Sequence, residues 1–102
     1  AGLKNADLCG AKLRKANLHK SDMRKVKLRR ANLHNADLRR AKLNGADLRK
    51  VDLSGANLSG ADLRKSRLTK ANVSRADMHG TDLRKANVRG TDLKSAKGVS
   101  NT

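Results

Sequence analysis

Ala46-Asp47-Leu48-Arg49-Lys50 is one copy of a five-residue unit that runs almost the whole length of the chain. The unit reads small residue, Asp or Asn, Leu, then two positions that are polar or glycine. All fifteen leucines fall on this grid, from Leu3 to Leu93, and Met23, Val73, Met78 and Val88 take the other centres, giving nineteen consecutive units. An α-helix turns about 100° per residue, so a five-residue step rotates each Leu by about 140° from the last and leaves no apolar face. A strand alternates faces, which puts the small residue and the Leu on one side and the intervening Asp or Asn on the other. In a straight strand an odd period would send the next Leu to the wrong face. The chain must therefore turn once per unit.

The fifth position is where that turn shows. Six of the eight glycines sit there, Gly10, Gly45, Gly55, Gly60, Gly80 and Gly90, where a residue free of a Cβ eases a corner. The first position is Ala in thirteen units, Ser or Thr in four, and Val only at Val26 and Val51, a size limit expected where backbone from a neighbouring turn comes close. Short strand, corner, short strand, corner, always bending the same way, gives a coil with Leu inside, and successive coils hydrogen-bond at about 4.8 Å. All nine Asp residues and five Asn (Asn17, Asn32, Asn57, Asn72, Asn87) hold the second position, and Glu is absent. A short acceptor at one repeated place predicts hydrogen bonds to turn N–H groups. The acidic residues read as structural rather than as catalytic pairs.

Units such as Ala6-Asp7-Leu8-Cys9-Gly10, Ala56-Asn57-Leu58-Ser59-Gly60 and Ala61-Asp62-Leu63-Arg64-Lys65 resemble those of the pentapeptide repeat proteins. The resemblance covers residues 1–95. It implies an all-β solenoid, a right-handed quadrilateral β-helix of about 4.75 coils with four units per coil, leaving residues 96–102 as a short irregular end in which Gly98 stands where the next centre would be. Some members of that family imitate DNA in shape and negative charge, bind type II topoisomerases and protect against quinolones. This sequence carries the opposite charge, which weighs against that role. Those members commonly pair through a C-terminal helical module, and no such pattern appears here. Open coil ends would instead favour a homodimer or end-to-end stacking.

The formal charge is +16, with 25 Lys and Arg against nine Asp. Four units per coil sorts the chain onto four faces. The first, centred on Leu3, Met23, Leu43, Leu63 and Leu83, holds eight basic residues against three Asp; the second, centred on Leu8, Leu28, Leu48, Leu68 and Val88, holds eight against two. The third, through Leu13 to Leu93, holds five against two, and the fourth, through Leu18 to Met78, three against two. The outward residues of the first two faces are the candidate site for an anionic partner, nucleic-acid phosphate or an acidic protein surface: Arg24, Lys25, Arg29, Arg30, Arg49, Lys50, Arg64, Lys65, Lys70, Arg84, Lys85 and Arg89. Stacking would place Arg29 over Arg49, Arg30 over Lys50 over Lys70, and Arg64 over Arg84, and like charges directly opposite destabilise a sheet. An anionic partner would relieve that repulsion.

Phe, Tyr and Trp are absent, so bases have nothing to stack on and a single-strand reader is disfavoured. A consensus-like engineered scaffold without evolved activity is a further reading of so uniform a grid. His19 and His79 fall on one face three coils apart and His34 on another, too scattered for a shared metal. Cys9 reads as a lone outward thiol. No glycine pattern suits a phosphate loop, no Ser-His-Asp constellation stands out, and no enzyme activity or cofactor is expected. No hydrophobic run approaches a membrane span, and the expected location is the cytoplasm.

Overall fold

A computed structural model describes residues 2–99. Fifteen parallel bridges run from Gly2↔Asp22 to Asp77↔Lys97, each joining the second residue of one unit to the second residue of the unit twenty positions on. Four units therefore complete a coil, and the coil is the right-handed quadrilateral β-helix. Each strand is reduced to a single bridging residue because a corner follows at once. The overall dimensions are 31 × 23 × 22 Å.

The unit Ala46–Lys50 shows how every backbone N–H is used. Ala46 N–H closes the preceding corner on Leu43 O at 3.0 Å, Asp47 N–H reaches back to Val26 O at 2.9 Å, and Leu48 N–H reaches forward to Arg67 O at 2.7 Å. Lys50 N–H also reaches forward, to Thr69 O at 3.0 Å. Arg49 N–H, left without a backbone acceptor, donates to its own unit's Asp47 Oδ1 at 3.3 Å. Both neighbouring coils are thus needed to satisfy one unit, which makes the stack cooperative.

At each corner the N–H-to-carbonyl bond closes a four-residue turn whose third residue alone has positive φ, the signature of a type II turn. From Asn5 to Gly90 every fifth position has φ between 57° and 76°. The six glycines mark this corner correctly, but twelve non-glycine residues share it, ten of them Lys or Arg. A left-handed conformation costs an L-residue about 1–2 kcal/mol. That cost recurs around the whole coil.

The interior is two sets of columns. Leu28, Leu33, Leu38, Leu43 and their equivalents fill the axis, with Ala31, Ala36, Ala41 and Ala46 beside them, all buried; each fully buried Leu contributes about 1.5–3 kcal/mol. Three of the hydroxyls at the small position find a carbonyl: Ser66 Oγ donates to Leu63 O and Thr81 Oγ1 to Leu58 O, both at 2.7 Å, and Thr91 Oγ1 donates to Leu68 O. After a short 3-10 turn at Leu93–Ser95 the register resumes, with Met78 N–H on Lys97 O at 2.8 Å. The coil thus extends two residues past position 95. Gly98, at φ 74°, lies against the ring of His79, where an added Cβ would meet ring atoms at 2.4–2.6 Å. The end predicted to be irregular, residues 96–102, lies outside the described residues from Ser100 onward.

Candidate anion-binding faces

The second-position acceptors behave as their length requires. In all fourteen units carrying Asp or Asn there, the side-chain Oδ1 accepts the N–H of the fourth residue, at 3.0–3.3 Å, as in Cys9 to Asp7, Ser59 to Asn57 and Lys94 to Asp92. When the fourth residue is Arg and the second Asp, the guanidinium folds back on the same carboxylate. Arg24 gives Asp22 Oδ1 an Nε bond at 2.8 Å and Oδ2 an Nη2 bond at 2.7 Å. Arg39 with Asp37, Arg49 with Asp47, Arg64 with Asp62 and Arg84 with Asp82 repeat this fork. The arginine fork holds all five carboxyls below the usual carboxylate range, Asp37 and Asp82 at about 2.

This geometry corrects the expected repulsion among stacked arginines. Arg29, whose own unit has Lys27 at the second position, reaches to the coil above and meets Asp47 Oδ2 at 3.3 Å. Asp47 therefore lies between Arg29 and Arg49, and Arg64 is likewise 4.0 Å from Asp82 while forked on Asp62. Guanidinium and carboxylate alternate where like charges were expected. These pairs are exposed and add little stability each. The Arg30–Lys50–Lys70 column has no carboxylate partner among the described residues.

Because the fourth and fifth residues form the corners, the twelve predicted residues occupy two edges rather than two faces. Arg24, Lys25, Arg64, Lys65, Arg84 and Lys85 line the edge leading into the second face, interrupted at Asn44-Gly45. Arg29, Arg30, Arg49, Lys50, Lys70 and Arg89 line the edge leading out of it. Open clefts of about 200 Å³ (Arg29, Arg30, Arg49, Lys50) and about 270 Å³ (Arg64, Lys65, Arg84, Lys85) lie between their side chains. Sequence reasoning passed over Lys27 and Arg67, exposed in the middle of the face so framed. Their signal was a cation at a second position that elsewhere favours Asp or Asn.

The remaining constellations are structural. His34 Nδ1 lies 2.8 Å from Ser54 Oγ, whose hydroxyl donates to Asp52 Oδ1 at 2.6 Å. The buried serine stands between acid and imidazole, so the histidine is not placed to take its proton. His79 is 2.6 Å from Asp77, and Cys9 is exposed. Among the described residues no group of three His, Cys, Asp or Glu could hold a metal, and no helix is long and apolar enough to cross a membrane. A shallow groove of about 530 Å³ runs over Gly60 and Gly80 along the edge leading out of the fourth face, between His19 and His79. It is open to solvent along its length.

Eight copies of the pentapeptide repeat match the chain over residues 1–30, 31–69 and 66–97. The chain belongs to the pentapeptide repeat family. Among solved structures of that family, the thylakoid-lumen protein AT2G44920 of Arabidopsis thaliana is 33% identical with a TM-score of 0.88, over 99% of this chain and 80% of its own. Rfr23 of the cyanobacterium Cyanothece 51142 is 36% identical with a TM-score of 0.86, over 91% of this chain and 64% of its own. QnrB1, a plasmid-mediated fluoroquinolone resistance protein, is 18% identical with a TM-score of 0.55, over 93% of this chain and 64% of its own, a likeness of fold alone. No curated protein matches the chain in sequence.

Proposed function

We propose that this pentapeptide repeat chain is a rigid, non-catalytic scaffold whose second face, with its two basic edges, binds a polyanion, duplex nucleic acid above all. One observation carries the reading. Ten Lys and Arg residues stand at corners with positive φ, where Gly or Asn would be less strained, so a chain shaped for stability alone would not place them there. Seven of the ten are lysines, and no carboxylate partner holds any of the ten among the described residues. The long dimension of 31 Å falls just short of one turn of B-DNA, about 34–36 Å. Phosphate contact through such edges is independent of base sequence and steeply salt-dependent. The resistance-protein reading has less support, because a strongly basic rod is repelled by a surface built for DNA.

Titration against a short duplex at 50 and 200 mM salt tests this. About six phosphate contacts predict a loss of about 10³-fold in affinity between the two. To separate the face from mere polycation behaviour, Lys50, Lys65 and Lys85→Asn is compared with Lys15, Lys20 and Arg75→Asn, which removes equal charge from other corners. The first variant should bind at least tenfold more weakly than the second. Equal loss in both would refute a defined face and leave a scaffold without an evolved partner, and tighter binding to polyglutamate than to duplex would transfer the face to an acidic protein.

A further inference from the structure

Each unit with Asp or Asn at its second position spends that side-chain oxygen on the N–H of its fourth residue. Four units carry a cation there instead, Lys12, Lys27, Lys42 and Arg67, and the corresponding N–H groups of Arg14, Arg29, Asn44 and Thr69 find no acceptor among the described residues. Each is a backbone donor left open beside a positive side chain, the reverse of the repeat's own arrangement. Lys27 stands between two carboxylates on the neighbouring coils, Asp7 and Asp47, and Lys42 between Asp22 and Asp62. Arg67 stands beside one. Of its neighbours, Asp47 is already held by Arg49 at 2.7 Å and Arg29 at 3.3 Å, and Asn87 is uncharged.

The Thr69 corner adds a feature that the others lack: its fourth residue brings a hydroxyl as well as an N–H. Arg49 and Arg89 flank it in the same column, and Arg89 has Asn87 rather than an Asp in its own unit. Lys70 follows directly, with its stem leaning over Gly90, where an added Cβ would lie 3.1 Å from Lys70 Cγ. We propose that this corner is an oxyanion site in which a phosphate oxygen takes the place that an Asp Oδ1 holds in other units. The Thr69 N–H and hydroxyl donate to it, and Arg67, Lys70 and Arg89 surround it with positive charge. Donors on several residues suit a tetrahedral group with three outer oxygens, whereas a planar carboxylate is matched by a single guanidinium fork, as the five Arg–Asp pairs already show. The biological ligand, a backbone phosphate, rests on the polyanion reading above; the site itself does not.

The test uses the full chain, labelled with ¹⁵N and titrated with inorganic phosphate at constant ionic strength. The Thr69 amide should shift and saturate, while the amides of Ser54 and Ser59, already bonded to Asp52 and Asn57, stay in place. Arg67→Asn supplies the missing acceptor from within and should fold at least as stably. It should shift the Thr69 resonance without phosphate and abolish the phosphate response. It should also weaken duplex binding about tenfold more than Lys15→Asn, the loss of one charge-assisted contact. If Thr69 follows phosphate no more than Ser59 does, or if Arg67→Asn responds as the native chain does, the site is wrong. A Thr69 response without duplex binding keeps the site and refutes the duplex reading, and duplex binding without a Thr69 response does the opposite. Saturation by an Asp-rich peptide below the phosphate concentration needed would overturn phosphate as the occupant.

Discussion

Lys50 offers the cleanest measure of what the basic corners cost. Its φ is 59°, at a corner equivalent to those of Gly45, Gly55 and Gly60 with φ of 74°, 68° and 69°. Glycine there would escape the left-handed penalty of about 1–2 kcal/mol but lose about 0.5–1 kcal/mol through the greater freedom of its unfolded chain. The net gain is about 0.5–1 kcal/mol. Lys50→Gly also removes a charge from the Arg30–Lys50–Lys70 column, which could stabilise for a different reason, so Lys50→Ala serves as the reference: it removes the same charge and keeps the Cβ. Thermal unfolding should place the Gly variant above the Ala variant by about 2–8 °C, using about 4–8 °C per kcal/mol for a domain of this size. The two variants melting together, or Ala melting higher, would refute the view that the corner conformation is strained for side-chain-bearing residues, and with it the main support for a functional origin of the corner lysines.

Two further outcomes follow from the arginine forks. Arg49→Glu should lower the melting temperature although it reduces net charge, because it sets a second carboxylate beside Asp47 and strips that residue of its fork; a rise would restore simple arginine–arginine repulsion as the dominant effect. A carboxyl whose pKa is depressed on folding stabilises fully above its unfolded value, near 3.9, and loses that contribution as pH falls through the folded value. With Asp37 and Asp82 at about 2, stability should fall progressively from about pH 4 to about pH 2, and a flat melting temperature across that interval would contradict the forks.

The fold was legible because its determinants repeat in sequence. A five-residue spacing of Leu with a small residue two places before it admits no helix and no straight strand, and the restriction of every Asp to one position, shared by five Asn, announced the bond that all fourteen make. Corner conformation was legible only in part: Gly10 or Gly60 betrays positive φ, whereas Lys50 or Arg30 at the same place gives no local sign and is recognised only by position in the grid. The site was harder for a different reason. Grouping residues by the face of their unit scattered Arg24 and Arg49 onto separate surfaces, whereas the corner turns bring both to the borders of one. Nor does a list of charges reveal direction. Arg29 bonds upward to Asp47 because Lys27 leaves it no carboxylate of its own, a relation that spans eighteen residues and exists only once the coils are stacked.

The division of labour between arginine and lysine follows from the same geometry. Basic residues at the fourth position are eight arginines and two lysines; at the fifth they are three arginines and seven lysines. The fourth residue stands two places after the second, where a guanidinium reaches both oxygens of Asp22 or Asp62 in a planar fork that an ammonium cannot reproduce. A basic fifth residue pairs with no carboxylate among the described residues, since any Asp of its unit is forked by the fourth-position arginine, and a flexible, strongly hydrated ammonium suits a corner open to water. The carboxylates themselves are kept apart. Along the second face the column runs Asp7, Lys27, Asp47, Arg67, Asn87, and along the fourth Asn17, Asp37, Asn57, Asp77, Lys97. Asp62 and Asp82 are the one adjacent pair of carboxylates, and there Arg64 spans both. Arginine thus belongs chiefly to the internal neutralisation of the coil, and the charge left to meet a partner is mainly lysine at the corners, together with arginines such as Arg67 and Arg89 that have no Asp in their own unit to close on.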